Sequence, residues 1–192
     1  MADLQETERC AVDVVAYFAL VEEGLIAPDD RVELLDGVIV SMPPQAPLHA
    51  AGVMRVESRL RETLPAKTAI RIQMPFMAGA VSVPEPDVAV VSGSASDYLD
   101  RHPSSALLVV EVAVSSVVQD RLTKAPIYAA AAIPNYWLVN LRDECVEVFS
   151  RPLPSKRRYW RSETLRGGDS LTLDAFPDLR IAVADLFPKR NV

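Results

Sequence analysis

Apolar side chains recur along this chain with two periods, and the period assigns most of the elements. Residues 13–23, DVVAYFALVEE, carry Val14, Val15, Phe18 and Leu20, end in acids and are followed by Gly24, which predicts a short helix with its stop signal. In residues 32–40 two short apolar runs flank Asp36-Gly37, a tight-turn dipeptide, and predict a β-hairpin. The clearest amphipathic helix covers residues 48–64, where Val53, Val56, Leu60 and Leu64 fall three or four apart with Arg and Glu between them. Pro65 ends it. Alternation then predicts a strand over 68–77, and residues 88–91 and 106–114, apolar on both faces, read as central strands of a covered sheet. A helix follows over 124–132, with Thr123 as its N-cap because Pro126 is tolerated only in a first turn. Further strands are expected at 136–141, 145–149 and 158–160, with turns at Arg142-Asp143 and Gly167-Gly168. The tail over 176–188 adds a little apolar surface through Leu179, Ile181, Leu186 and Phe187.

Helices mixed with mainly antiparallel strands predict an α/β (α+β) fold with a mixed central sheet. At 192 residues, with 49% hydrophobic and 24% charged positions, one domain with an aliphatic core is expected over 1–192, residues 1–12 forming a loosely packed leading segment. Most of the 15 prolines fall at predicted element boundaries, which supports those boundaries. No apolar run approaches the ~20 residues of a membrane span. The acidic, polar opening MADLQETERC is unlike a secretory signal, so a cytoplasmic protein is expected. Cys10 and Cys145 stand far apart, forming neither a disulfide framework nor a zinc knuckle, and are read as plain residues.

Nucleophile and cofactor motifs such as GxSxG, GxGxxG, the phosphate-binding GxxxxGK[ST] and HExxH are missing, and two histidines cannot build a histidine-rich metal site. What remains is carboxylate chemistry. Asp87 opens one predicted strand and Glu111 lies near the end of the next. If these strands are antiparallel neighbours, the two acids face each other within apolar surroundings, which is costly unless they are paired or bind a cation. Such a pair suits Mg2+, or Mn2+, because a hard cation takes one or two carboxylates, water and substrate phosphate. A lysine would complete the site by balancing charge on the phosphate. Position 113 shares the face of Glu111 but is alanine, so the nearest candidate is Lys124, with Tyr128 one turn later.

These residues resemble the Uma-two family of restriction endonucleases within the PD-(D/E)XK nuclease superfamily. The resemblance runs through Glu33-Leu-Leu-Asp-Gly37, His49, Pro86-Asp87-Val88-Ala89-Val90-Val91, Glu111 with Ser115-Ser116, Asp120, Lys124 and Tyr128. It continues through Ile133-Pro134-Asn135-Tyr136-Trp137-Leu138-Val139 and Asp185-Leu186-Phe187. It implies a restriction-endonuclease-like core, Asp87 and Glu111 as metal ligands with Glu33 completing the acidic site, and Lys124 in place of the motif lysine that Ala113 lacks. The activity expected is hydrolysis of DNA phosphodiester bonds. The rival is an inactive nuclease-like module that binds nucleic acid or a protein, favoured by Ala113 and the acidic balance.

The net charge of −6 argues against indiscriminate coating of nucleic acid. One stretch runs against it: Arg151, Lys156, Arg157, Arg158, Arg161 and Arg166 surround Tyr159 and Trp160 with only Glu163 opposing. It reads either as a nucleic-acid surface, with Arg157 and Arg158 as contacts, or as a solvated or dimer-facing hairpin. His49, at a helix start, reads either as a substrate phosphate contact or as a cap, and Tyr128 as a substrate contact. A homodimer or higher homo-oligomer is expected, since two-fold symmetry helps a small nuclease cut both strands.

Overall fold

A computed structural model describes residues 11–189. Cys10 and most of the expected leading segment lie outside them. Val12 does not fit that segment: its N–H donates to the Gly37 carbonyl at 3.0 Å and its side chain packs beside Val14 and Leu34. Helix α1 (Val14–Glu22) is capped by Asp13, whose carboxylate accepts the Ala16 N–H at 2.8 Å. Strands β1 (Val32–Leu35) and β2 (Val38–Ser41) form the expected hairpin, and Asp36 and Gly37 both take the positive φ that its two-residue turn requires. Helix α2 (Pro47–Thr63) buries Gly52, Val53, Val56 and Leu60.

The centre is a six-stranded sheet in the order β3 (Thr68–Ile72), β4 (Val88–Ser92), β5 (Leu108–Ala113), β6 (Asn135–Asn140), β7 (Cys145–Leu153), β8 (Arg158–Leu165). Only β5 and β6 run parallel, so the mainly antiparallel mixed sheet is as expected. Strand β3 stops at Ile72, short of the expected 77. Gln73 adopts φ 49° and turns the chain away from the ladder, its N–H reaching back to the Pro86 carbonyl. Strands β7 and β8 are longer than expected because they pair with each other past Phe149 and Trp160.

The crossover from β5 to β6 corrects the sequence reading most. Thr123 is not an N-cap: the helical path starts earlier, in α3 (Val117–Gln119), widens into a π-turn over Asp120–Lys124 and continues as α4 (Ala125–Ala130). The Ala125 N–H bonds to the Asp120 carbonyl, five residues back. Pro126 has no N–H to give and would crowd a normal preceding turn, and the wider turn accommodates it.

Both sheet faces are covered. On one, Val88, Val110, Val112, Trp137 and Val139 pack against α2 and against a two-stranded unit of β9 (Ser170–Leu173) and β10 (Phe176–Ala182). Of the expected tail residues, Ile181 and Leu186 are fully buried there. On the other, Ala89, Val109, Ala113, Tyr136 and Leu138 pack against Ile127 and Tyr128 of α4. Gly52 lets α2 approach closely, since a Cβ there would stand 2.6 Å from a Leu141 methyl and 2.9 Å from one of Val112. Among the described residues no helix is long and apolar enough to cross a membrane.

Candidate active site

Strand register brings the two expected acids together. In the β4–β5 ladder Val88 lies opposite Val110, so the next pair outward is Asp87 and Glu111. Both are buried, Asp87 at 7% exposure and Glu111 at 3%. The Asp87 carboxylate accepts three hydrogen bonds: Oδ2 from the Val112 N–H at 2.8 Å and from His49 Nε2 at 3.1 Å, and Oδ1 from Gln73 Nε2 at 3.0 Å. Burial works against its ionisation, but these donors outweigh burial and hold its pKa below the ordinary value. The same contact raises the pKa of His49, against the effect of burial.

Lys124 reaches this point from the π-turn. Its Nζ lies 3.1 Å from Glu111 Oε1 and 3.3 Å from Glu33 Oε2, and Tyr128 donates its hydroxyl to the same Glu111 oxygen at 2.6 Å. Both contacts to Glu111 fall on Oε1, leaving Oε2 for a further ligand. Burial alone would lower the Lys124 pKa, but Glu111, Glu33 and Asp120 outweigh it and keep the amine protonated. Glu111 is pushed well up, first by burial and then by Asp87, Asp120 and Glu33, with Lys124 opposing.

Apart from Tyr128, these side chains line one cavity of about 260 Å3. Its wall carries five carboxylates, Glu33, Glu85, Asp87, Glu111 and Asp120, against two permanent cations, Arg31 and Lys124, and against His49. That surplus of oxygen donors is the chemistry a hard divalent cation takes. Among the described residues no three His, Cys, Asp or Glu side chains converge closely enough to hold an ion as they stand. Asp87 and Glu111 are the two of these acids adjacent in the sheet register, and could hold such an ion together with water.

The remaining expected residues are placed as follows. Glu33 is at the site, but as the second counter-ion of Lys124, its Oε2 also accepting the Glu85 N–H at 3.2 Å. His49 sits at the cavity wall bonded to Asp87, which makes it a positioning group for that carboxylate. Tyr128, expected as a substrate contact, is fully buried and off the cavity lining, its hydroxyl bonded to Glu111. Arg157 and Arg158 lie off the cavity lining, and Arg157 forks onto both oxygens of Asp36 at 2.7 Å. Sequence reasoning assigned no site role to Asp120, Gln73 or Glu85. Asp120, 4% exposed and bonded by the Ser116 hydroxyl at 2.7 Å, stands four residues before Lys124, and that spacing was its available signal. Gln73 was hidden by its apparent place inside a strand.

A mixed sheet flanked by helices, with buried acids and a lysine at one end of its central strands, defines a restriction-endonuclease-like fold. The fold is similar to the crystal structure of a protein from Anabaena variabilis described as "a putative nuclease belonging to DUF820", with a TM-score of 0.64 at 17% identity, covering 86% of this chain and 96% of that one. No curated protein matches the chain. Residues 15–184 match the model of the Uma2 family, described as "Putative restriction endonuclease", and the chain belongs to that family.

Proposed function

We propose that this protein is a metal-dependent endonuclease that hydrolyses DNA phosphodiester bonds, with Mg2+ or Mn2+ held by Asp87 and Glu111. The observation that carries the reading is the carboxylate-rich cavity in which a protonated Lys124 touches Glu111 Oε1 at 3.1 Å. A hard cation at those oxygens would supply an activated water and neutralise charge on the phosphate. Three donors fix the Asp87 carboxylate in one orientation, and the Tyr128 hydroxyl fixes Glu111. Lys124, in contact with Glu111, would orient the water and balance developing negative charge. Ala113 packs within the apolar face beside Val109, and the amine arrives from the crossover helix instead of from the strand.

The test is cleavage of plasmid and single-stranded DNA with Mg2+, Mn2+ or EDTA by wild type, Asp87→Ala, Glu111→Ala and Lys124→Ala. Cleavage that needs the metal and falls by roughly 100-fold or more in each variant is expected, on the scale of losing one transition-state contact. Equal cleavage by wild type and the two carboxylate variants would overturn the reading. Binding of DNA without cleavage under any condition would favour a nuclease-like binding module.

A further inference from the structure

We propose that the open groove beside the carboxylate cavity seats the phosphodiester backbone of a DNA strand, through Arg121, Arg142 and Arg166. The proposal rests on the nuclease reading and says where the polyanion is held next to a cavity that would itself repel it. The groove, about 490 Å3, lies at one end of the sheet, where β5, β6 and β8 finish and β7 begins. It shares Val114 and Ser115 with the carboxylate cavity, so the two adjoin.

Charge changes sign along this path. Three arginines border the groove against Asp143 and Glu147, and both acids are already engaged. Glu147 is held by the Arg121 guanidinium, with Nε at 2.9 Å, and Asp143 accepts from Asn140 Nδ2 at 2.9 Å. On the cationic side, the exposed Arg142 side chain makes no hydrogen bond or ion pair among the described residues, and the Arg166 guanidinium donates only to the Asp143 carbonyl at 3.0 Å, its backbone N–H going to Asp169 Oδ2 at 2.8 Å. Glu147 orients Arg121 rather than silencing it, since a guanidinium has five donors. The hydroxyls of Ser115 and Thr164 in the same wall are of the type that also binds phosphate oxygens.

The far end of the β7–β8 hairpin offers less. Arg157 pairs with Asp36 and Arg161 with Glu163 at 2.9 Å, and neither borders the groove. Arg166 is the member of the basic stretch that borders the groove, at the end nearer the cavity.

Fluorescence anisotropy of a labelled 20-base-pair duplex, with Ca2+ present and salt varied between 50 and 200 mM, measures the groove directly. Each neutralised phosphate contributes about 0.9 to the slope of log affinity against log salt. Arg142→Gln with Arg166→Gln is expected to lower that slope by about 2 and to weaken low-salt binding by about 10-fold or more. Arg142→Lys with Arg166→Lys should keep most of the slope, because a point charge suffices. An unchanged slope in the Gln pair, a slope lost only in Arg157→Gln with Arg158→Gln, or no DNA binding by wild type would each overturn the proposal. The two readings fail separately. Binding that depends on Arg142 and Arg166 without metal-dependent cleavage leaves the groove and removes the nuclease. Cleavage with an unaltered KM in the Gln pair removes the groove and leaves the nuclease.

Discussion

Replacing Lys124 by Met keeps the length of the side chain and removes its charge from between Glu111 and Glu33. All three groups are under 10% exposed, and the amine is the cation in direct contact with both acids. Removing one partner of a buried pair typically costs about 3–5 kcal/mol, since the other is left charged and desolvated. Proton uptake limits the loss. Holding a carboxyl of ordinary pKa near 4.3 in its neutral form costs about 1.36 kcal/mol per pH unit above that value, hence about 5 kcal/mol at pH 8 and only about 1 at pH 5. The sign follows from linkage. Burial already raises the Glu111 pKa in the folded state, and losing Lys124 raises it further, so the folded variant binds more protons than the unfolded chain and loses stability as pH rises. We expect the variant to be about 3 kcal/mol less stable than wild type at pH 8 and about 1 kcal/mol less stable at pH 5. Urea unfolding in EDTA, followed by tryptophan fluorescence, reads both values. A loss below 1 kcal/mol at pH 8, or the same loss at both pH values, would refute the argument that Lys124 is the counter-charge of this cluster.

The His49–Asp87 contact has the opposite pH dependence on its basic side. The folded-state pKa of His49 is raised, so its contribution is complete below about 6.5 and is lost as pH rises through the folded value; that of Asp87 is lowered, so its contribution is present above about 3.9 and is lost as pH falls through the folded value. His49→Ala should therefore cost about 1.5 kcal/mol near pH 5.5 and less at pH 8.5, the scale of one hydrogen bond to a charged group. An equal or larger cost at pH 8.5 in denaturant titrations would exclude a charged pair. In the core, Leu60 of α2 is fully buried against the sheet, and Leu60→Ala should lower the unfolding free energy by about 2–5 kcal/mol without changing the denaturant slope. A loss under 1 kcal/mol would show that α2 does not anchor that face.

Several features could be read before any coordinates because they are set by neighbours in sequence. Asp36-Gly37 demands positive φ at two successive positions, and Val53, Val56 and Leu60 fall on one helical stripe. The Asp87–Glu111 pairing is nearly local as well, because one excursion joins β4 to β5 and antiparallel pairing then brings the start of one to the end of the other. Lys124 was legible for a different reason, as the first amine after Glu111 once position 113 proved to be alanine.

What the sequence by itself determined was most of the elements, though not α3 or the β9–β10 pair, with their buried faces and the two facing acids, since periodicity reports which side of a strand or helix avoids water. The tertiary structure alone decided how charge is shared. It set Glu33 from the first hairpin against Lys124, carried Asp120 into the cavity on a widened turn, and buried Tyr128 with its hydroxyl on Glu111. It also turned Gln73 out of its strand to hold Asp87, and tied Arg157 to Asp36 while leaving Arg142 and Arg166 beside the cavity. Those outcomes depend on which segments, distant in the chain, come within 3–4 Å of one another. Burial then decides which charges must be paired, and no local pattern of residues carries that information.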